Sequence, residues 1–270
     1  MAWALWAGPI DAGSPSPCVV SDLDTGFTAT SLQGAVSAAR SGARLTVQGV
    51  CHGSTITRKS LTITGVRTET SGPPTLDGDS GARVVQIGSG RNVTEGTTIA
   101  VAIAGLTIQD GRVVLRHGGG TGGAGILNWG TLTLRDVVVR DNVTSESGGG
   151  IYTAGMTRVT LMGTTRIKGN RADRGGGVEN LGTLVMTDSS RISGNRANYG
   201  GGGVANGGGT IVMRGDSQIS GNSVPLVAPI GGGIETDGNS SLKGVVCAPK
   251  REANVFGNDP DDCRTITLFD

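Results

Sequence analysis

Glycine triplets begin at Gly148, Gly175, Gly201 and Gly231, at steps of 27, 26 and 30 residues, and a fainter copy, Gly122-Gly123-Ala124-Gly125, precedes the first by 26. Each introduces a similar segment: AGILNWGTLTL, GGIYTAGMTRVTL, GGVENLGTLVM, GGVANGGGTIVM and GGIETDGNSSL. Further on the copies converge again in VVVRDN (137–142), TRIKGN (165–170), SRISGN (190–195), SQISGN (217–222) and a looser VFGN ending at Asn258. Every repeat thus holds three short apolar stretches with period-2 alternation, such as Val178, then Leu184 and Met186, then Ile192. None is long enough for an ordinary helix. Three short strands and three bends in one repeat make one turn of a solenoid, each strand lying about 4.8 Å from its copy in the next turn. Alternate apolar residues then point inward as ladders, and the general chirality of parallel crossovers predicts a right-handed coil.

The bends carry their own pattern. Asn142, Asn170, Asn195, Asn222 and Asn258 share one repeat slot, and Asn128, Asn180 and Asn206 another, with Thr153 and Thr236 filling its gaps. Asparagine tolerates left-handed backbone, and stacked amides can bond from turn to turn. A residue recurring in every turn reads as structural rather than as a ligand site. Before the regular repeats, ARLTVQG, STITRKSLTITG, PTLDG, ARVVQIG and TIAVAIAGLTIQDG read as degenerate first turns. Ahead of these, residues 30–43 place Leu32, Ala35, Val36 and Ala39 at helical spacing behind a possible Ser31 cap. An open solenoid end exposes core, so this segment is expected to be a capping helix.

Composition narrows the classes further. Glycine supplies 49 of 270 residues, but in clusters, which excludes collagen. The charges nearly cancel, 23 Lys+Arg against 22 Asp+Glu, giving no reason to expect a nucleic-acid partner. The longest mainly apolar run, Ile99 to Ile108, is too short to span a bilayer. Four cysteines sit as two pairs near the two ends, without CxxC spacing, and His52 and His117 lie far apart, so no metal site is expected. Of the three possible pairings, Cys18–Cys51 and Cys247–Cys263 would each staple one terminus. Disulfides point to an oxidising, extracellular setting. The opening MAWALWAGPI resembles the tail of a secretion signal, and the excess of arginine over lysine, 19 to 4, suggests a bacterial, GC-rich source.

The GGGI/GGGV starts, the GN endings and the run SLQGAVSAARSGARLTVQG followed by LTITG resemble the right-handed parallel β-helix proteins of the pectin-lyase-like superfamily, including the repeats of polymorphic outer-membrane proteins. The resemblance covers about residues 18 to 268. It implies an all-β, right-handed parallel β-helix, in a superfamily whose members range from polysaccharide lyases and galacturonases to adhesins. The expected organisation is a leader or extended segment over 1–17 and a single β-helix domain over 18–270. Within it lie a capping helix (30–43), degenerate coils (44–121), regular repeats (122–242) and a disulfide-stapled end (243–270).

Chemistry is less legible. Polygalacturonase-like members carry NTD, DD, GHG and RIK motifs. Here Arg166-Ile167-Lys168 occupies the same slot as Arg191-Ile192-Ser193, which reads as an ordinary strand, and NTD is absent; Asp261-Asp262 and His117 lie far from it in sequence. Asp110 and Asp141, each closing a strand one turn apart, would bring carboxylates about 5 Å from one another, a separation that suits a retaining glycosidase. The plainer reading is two solvated acids beside Arg112 and Arg140. Lyase chemistry with calcium would need three or more clustered acids, and the sequence shows no such set. No cofactor is expected. The stronger signal is basic: Arg166 and Arg191 share one slot and Arg171 and Arg196 another, with Lys168, Arg174 and Tyr199 nearby. Stacked, they would form a face for an anionic glycan or an acidic protein, with Asp173 and Asp188 as the available neutralising acids. The expected function is recognition, adhesion or surface structure by a secreted or cell-surface monomer binding carbohydrate or protein. The rival is a lyase or glycoside hydrolase acting on uronate-type polymers.

Overall fold

A computed structural model of the chain describes residues 16–68, 71–89, 99–114, 122–225, 231–237, 239–245, 253, 255–258 and 263–266. It is an all-β parallel solenoid in which strands pair one coil to the next. Sheet I has ten strands, running from Arg44–Gln48 through Leu61–Gly65, Ala100–Ala104, Thr131–Arg135, Arg158–Met162, Thr183–Met186 and Thr210–Met213 to Ser241–Lys243, with the antiparallel pair Val19–Asp22 and Thr28–Ala29 at its N-terminal edge. Sheet II has eight strands, from Val50–His52 through Thr75–Asp77, Thr107–Gln109, Val138–Arg140, Arg166–Lys168, Arg191–Ser193 and Gln218–Ser220 to Val255–Phe256. Sheet III also has eight, from Thr55–Thr57 to Cys263–Ile266, and sheet IV has four short ones, Arg112–Val113, Val143–Thr144, Arg171–Arg174 and Arg196–Gly200.

The core follows from the alternation. Leu132, Val159, Leu184 and Ile211 are register partners on successive coils, as are Leu134, Leu161, Met186 and Met213, and none of the eight is more than 3 % exposed. Ile108, Val139, Ile167, Ile192 and Ile219 form the equivalent buried ladder of sheet II. The helix is shorter than the sequence pattern suggests, α1 (Leu32–Ala38) rather than 30–43. The Ser31 hydroxyl accepts from the Gly34 N–H as expected of an N-cap. At the other end Lys59 Nζ donates to the carbonyls of Val36, Ser37 and Ala39, a tertiary cation that satisfies the last turn and ends the helix there. Leu32, Ala35 and Val36 are buried, and α1 lies against Val19–Asp22, Thr28–Ala29 and Thr55–Thr57.

The triplet glycines have two separate jobs. The first of each, Gly148, Gly175, Gly201 and Gly231, has positive φ. The second and third lie against the next coil: a Cβ at Gly177 would sit 2.6 Å from the Gly203 carbonyl oxygen, and one at Gly176 2.5 Å from the Arg196 backbone. In the regular copies a Cβ at either position would collide with backbone of the following coil, whereas the fainter copy carries Ala124 in the second slot.

The asparagine ladder is continuous and buried. Asn142, Asn170, Asn195 and Asn222 each donate Nδ2–H to the Oδ1 of the next member at 2.9 Å, ending on Asn258, and each backbone N–H converges on the same oxygen. Between sheets I and II, Gly105, Asp136, Gly163, Asp188 and Gly215 occupy one left-handed turn position in alternation. Asp136 Oδ1 accepts from the Thr164 N–H (2.8 Å), and Asp188 Oδ2 accepts from the Gly163 N–H (2.7 Å). The two Thr164 hydrogen bonds, backbone first and hydroxyl second, hold the Asp136 carboxyl below its ordinary value. Cys18 and Cys51 form a disulfide with Cα atoms 4.6 Å apart. Cys263 is also disulfide-bonded; its expected partner, Cys247, lies outside the described residues.

Candidate functional site

The outward side of sheet II is a continuous polar strip. His52, Asp77, Gln109, Arg140, Lys168, Ser193 and Ser220 are successive register partners along it. Its N-terminal half is acidic. His52 Nδ1 lies 2.6 Å from Asp79 Oδ1; Asp77 Oδ2 accepts from Gln109 Nε2 at 2.8 Å; Arg140 bonds both Gln109 Oε1 and, at 2.8 Å, Asp141 Oδ2. The side chains are thereby tied in sequence across four coils. Ligand atoms of His52, Asp77 and Asp79 lie within 4.8 Å of one another, so these three could hold a cation.

Asp110 and Asp141 follow Gln109 and Arg140 on adjacent coils, as the repeat alignment predicts. Both have left-handed backbone, at the position taken by Gly169, Gly194, Gly221 and Gly257 in later coils. Aspartate tolerates this conformation, so the residue type meets a local backbone need as well as any chemical one. Partial burial, then the charges of Asp77 and Asp141, raise the Asp110 carboxyl above its ordinary value. Asp77 and Asp79 stand on the same ridge as Asp110 and Asp141, and among the described residues the set whose ligand atoms lie within reach of one another is His52, Asp77 and Asp79, two acids and a histidine. The register hid them, because the coil from Asp77 to Gln109 takes 32 residues and lacks the triplet signature.

The next coils of the same strip are basic. Arg166 and Arg191 are register partners on sheet II, and Arg171 and Arg196 on the adjoining sheet IV. These four, with Lys168 and Tyr199, are exposed. Among the described residues none of the five cations makes an ion pair. Among the described residues neither Asp173 nor Asp188 makes an ion pair with them: Asp173 accepts from Asn198 Nδ2 at 2.6 Å, and Asp188 accepts from the Gly163 N–H. The halves meet at Asp141, whose Oδ1 would lie 2.8 Å from a Cβ at Gly169, beside Lys168. Arg174, expected near this face, instead turns to sheet III, where it lies 3.4 Å from Glu235 and 3.9 Å from Glu179. His117, Asp261 and Asp262 lie outside the described residues.

No protein-family model matches the chain, and neither does any curated protein or any solved structure. Among the described residues no helix is long and apolar enough to cross a membrane.

Proposed function

We propose that this chain is an extracellular recognition protein whose sheet II–sheet IV face binds an acidic polysaccharide. The observation that carries the reading is the stack of five exposed cations on two adjacent coils without ion-pair partners. Like charges set directly opposite across a strand pair are unfavourable, and arginines are suited to carboxylates and sulfates in forked geometry. A long exposed strip with a charge step of one coil suits a polymer lying along the axis. The disulfides support an oxidising compartment and hence secretion, and the excess of arginine over lysine supports a bacterial source. Right-handed winding, a pectin-lyase-like affiliation, α1 as the cap of the N-terminal coil and a monomeric state complete the reading. In the test, purified protein is passed over heparin, polyuronate and neutral glycan matrices across a salt gradient. Retention on the acidic matrices is expected at low salt, and it should fall with added salt and with the Arg171→Ala/Arg196→Ala pair. No retention on any acidic polymer at low salt would overturn the proposal.

A second reading rests on the acidic half of the strip. Four aspartates and His52 beside a basic patch suit a lyase or glycoside hydrolase acting on uronate polymers, with Asp110 and Asp141 as the reacting carboxyls. Cleavage of polyuronate that disappears in Asp110→Asn would move the assignment to this class.

A further inference from the structure

On sheet III the middle residues Tyr152, Glu179, Ala205 and Glu235 are successive register partners pointing away from the solenoid core. Alternation alone would leave them in water. Instead Glu179 and Glu235 are 3 % and 4 % exposed. The material around them is largely glycine backbone: a Cβ at Gly207 would sit 3.5 Å from Glu179 Oε1, and one at Gly200 2.0 Å from Glu235 Oε2. Arg174, at the end of the sheet IV strand that also carries Arg171, reaches in between. Glu179 Oε2 is buried and, among the described residues, has no hydrogen-bond partner.

We propose that Glu179 is a proton-operated latch: in its neutral form it lets the glycine-walled seam between sheet IV and sheet III close over it, and its ionisation drives that seam open to water. A buried carboxylate with an unpartnered oxygen is costly, and the neutral acid costs far less. The groups facing Glu179 are Arg174 from sheet IV, Glu235 and Asp237 from the strand Ile234–Asp237, and Tyr152 on the preceding rung. Arg174 favours the ionised form, but desolvation outweighs it, and Glu235 and Asp237 oppose ionisation further. Together they push the carboxyl from 4.5 up to about 7. Burial, and then the charge of Glu179, likewise raises the Tyr152 hydroxyl. Because the folded value exceeds the unfolded one, the stabilisation is fully present below about 4.5 and is lost as pH rises through about 7. The cover can yield locally because glycine backbone has the widest conformational freedom, and solenoid coils contact only their neighbours.

The inference stands apart from the proposed glycan binding, and its test needs no ligand. Amide hydrogen exchange would be followed at pH 6 and pH 8, corrected for the intrinsic rate. The N–H groups of Gly175, Val178 and Gly207, which bond from coil to coil along the walls of the seam to Gly200, Gly203 and Asn180, report its opening to water, with the Arg191 N–H on sheet II as control. Protection at the seam should fall about tenfold between the two pH values, from a carboxyl moving between 4.5 unfolded and about 7 folded, and stay constant at Arg191. Glu179→Gln, neutral at both, should abolish the difference. Equal seam protection at pH 6 and pH 8 would overturn the latch, as would an unchanged response in Glu179→Gln. Carbon-13 titration of the wild-type carboxyl decides independently of any variant: a midpoint near 7 supports the latch, and one below 5.5 refutes it.

Discussion

Replacing Asn195 probes the bend ladder where it is most enclosed. The residue is 1 % exposed. Its Oδ1 accepts from both the backbone N–H and the Nδ2 of Asn170, at 3.0 and 2.9 Å, and its Nδ2 donates to Asn222 Oδ1 and the Ile167 carbonyl. Asn195→Ala leaves two buried donors on Asn170 unanswered. At about 1–3 kcal/mol for each unsatisfied buried group, the loss should be about 2–6 kcal/mol. Asn195→Asp separates acceptance from donation. The aspartate can still receive both Asn170 bonds, but ionised it presents charge to Asn222 Oδ1 and the Ile167 carbonyl with no proton to give. Its folded pKa should therefore rise, and its stability should recover as pH falls and the acid regains a donor. Urea unfolding followed by far-UV circular dichroism at pH 5 and pH 8 measures all of this. The outcome that refutes the reasoning is Asn195→Ala within about 0.5 kcal/mol of wild type, the range of an ordinary surface change, or an Asn195→Asp variant indifferent to pH.

Three further variants test the corners and the staple. Gly177→Ala would put a methyl 2.6 Å from the Gly203 carbonyl oxygen and should unfold or shift the local coils. Gly194→Ala, with φ of +63° and nothing within 4 Å, should cost only the left-handed backbone penalty of about 1–2 kcal/mol; comparable melting losses in the two would refute the packing account. Replacing both Cys18 and Cys51 by serine opens a link of sequence separation 33, worth about 3–4 kcal/mol on a chain-entropy account. Proteolysis should then cut near residues 16–60 while the central repeats persist, and uniform digestion along the chain would argue against local fraying.

What could be read from the sequence was whatever the coil repeats. Leu184, Met186 and Ile192 sit at inward positions of a regular copy, and the core they predict is the core observed. The asparagine column is equally legible, since each member fills the same slot in its own copy. Glu179 and Glu235 were not, because two-residue alternation places them outward and says nothing of a neighbouring strand laid across that side. The acidic ridge escaped for a different reason: the early coils that carry Asp77 and Asp79 vary in length, so their register with Gln109 cannot be counted along the chain. The end of α1 depends on Lys59, some twenty residues beyond it, and no local pattern contains that contact.

The alternation of Gly105, Asp136, Gly163, Asp188 and Gly215 makes the outcome of removing one coil depend on which residue that coil carries at the turn. Excising the single coil that contains Gly163 would bring Asp136 and Asp188 to neighbouring rungs about 4.8 Å apart. Both would lose their bonds to the Thr164 and Gly163 N–H groups and gain only each other's charge. Removing or duplicating coils in pairs preserves an aspartate beside every second glycine turn. Removing the Gly163 coil alone should therefore destabilise the rod more than removing it together with the Asp188 coil, whereas removing a coil that carries an aspartate sets two glycine turns side by side and creates no such repulsion.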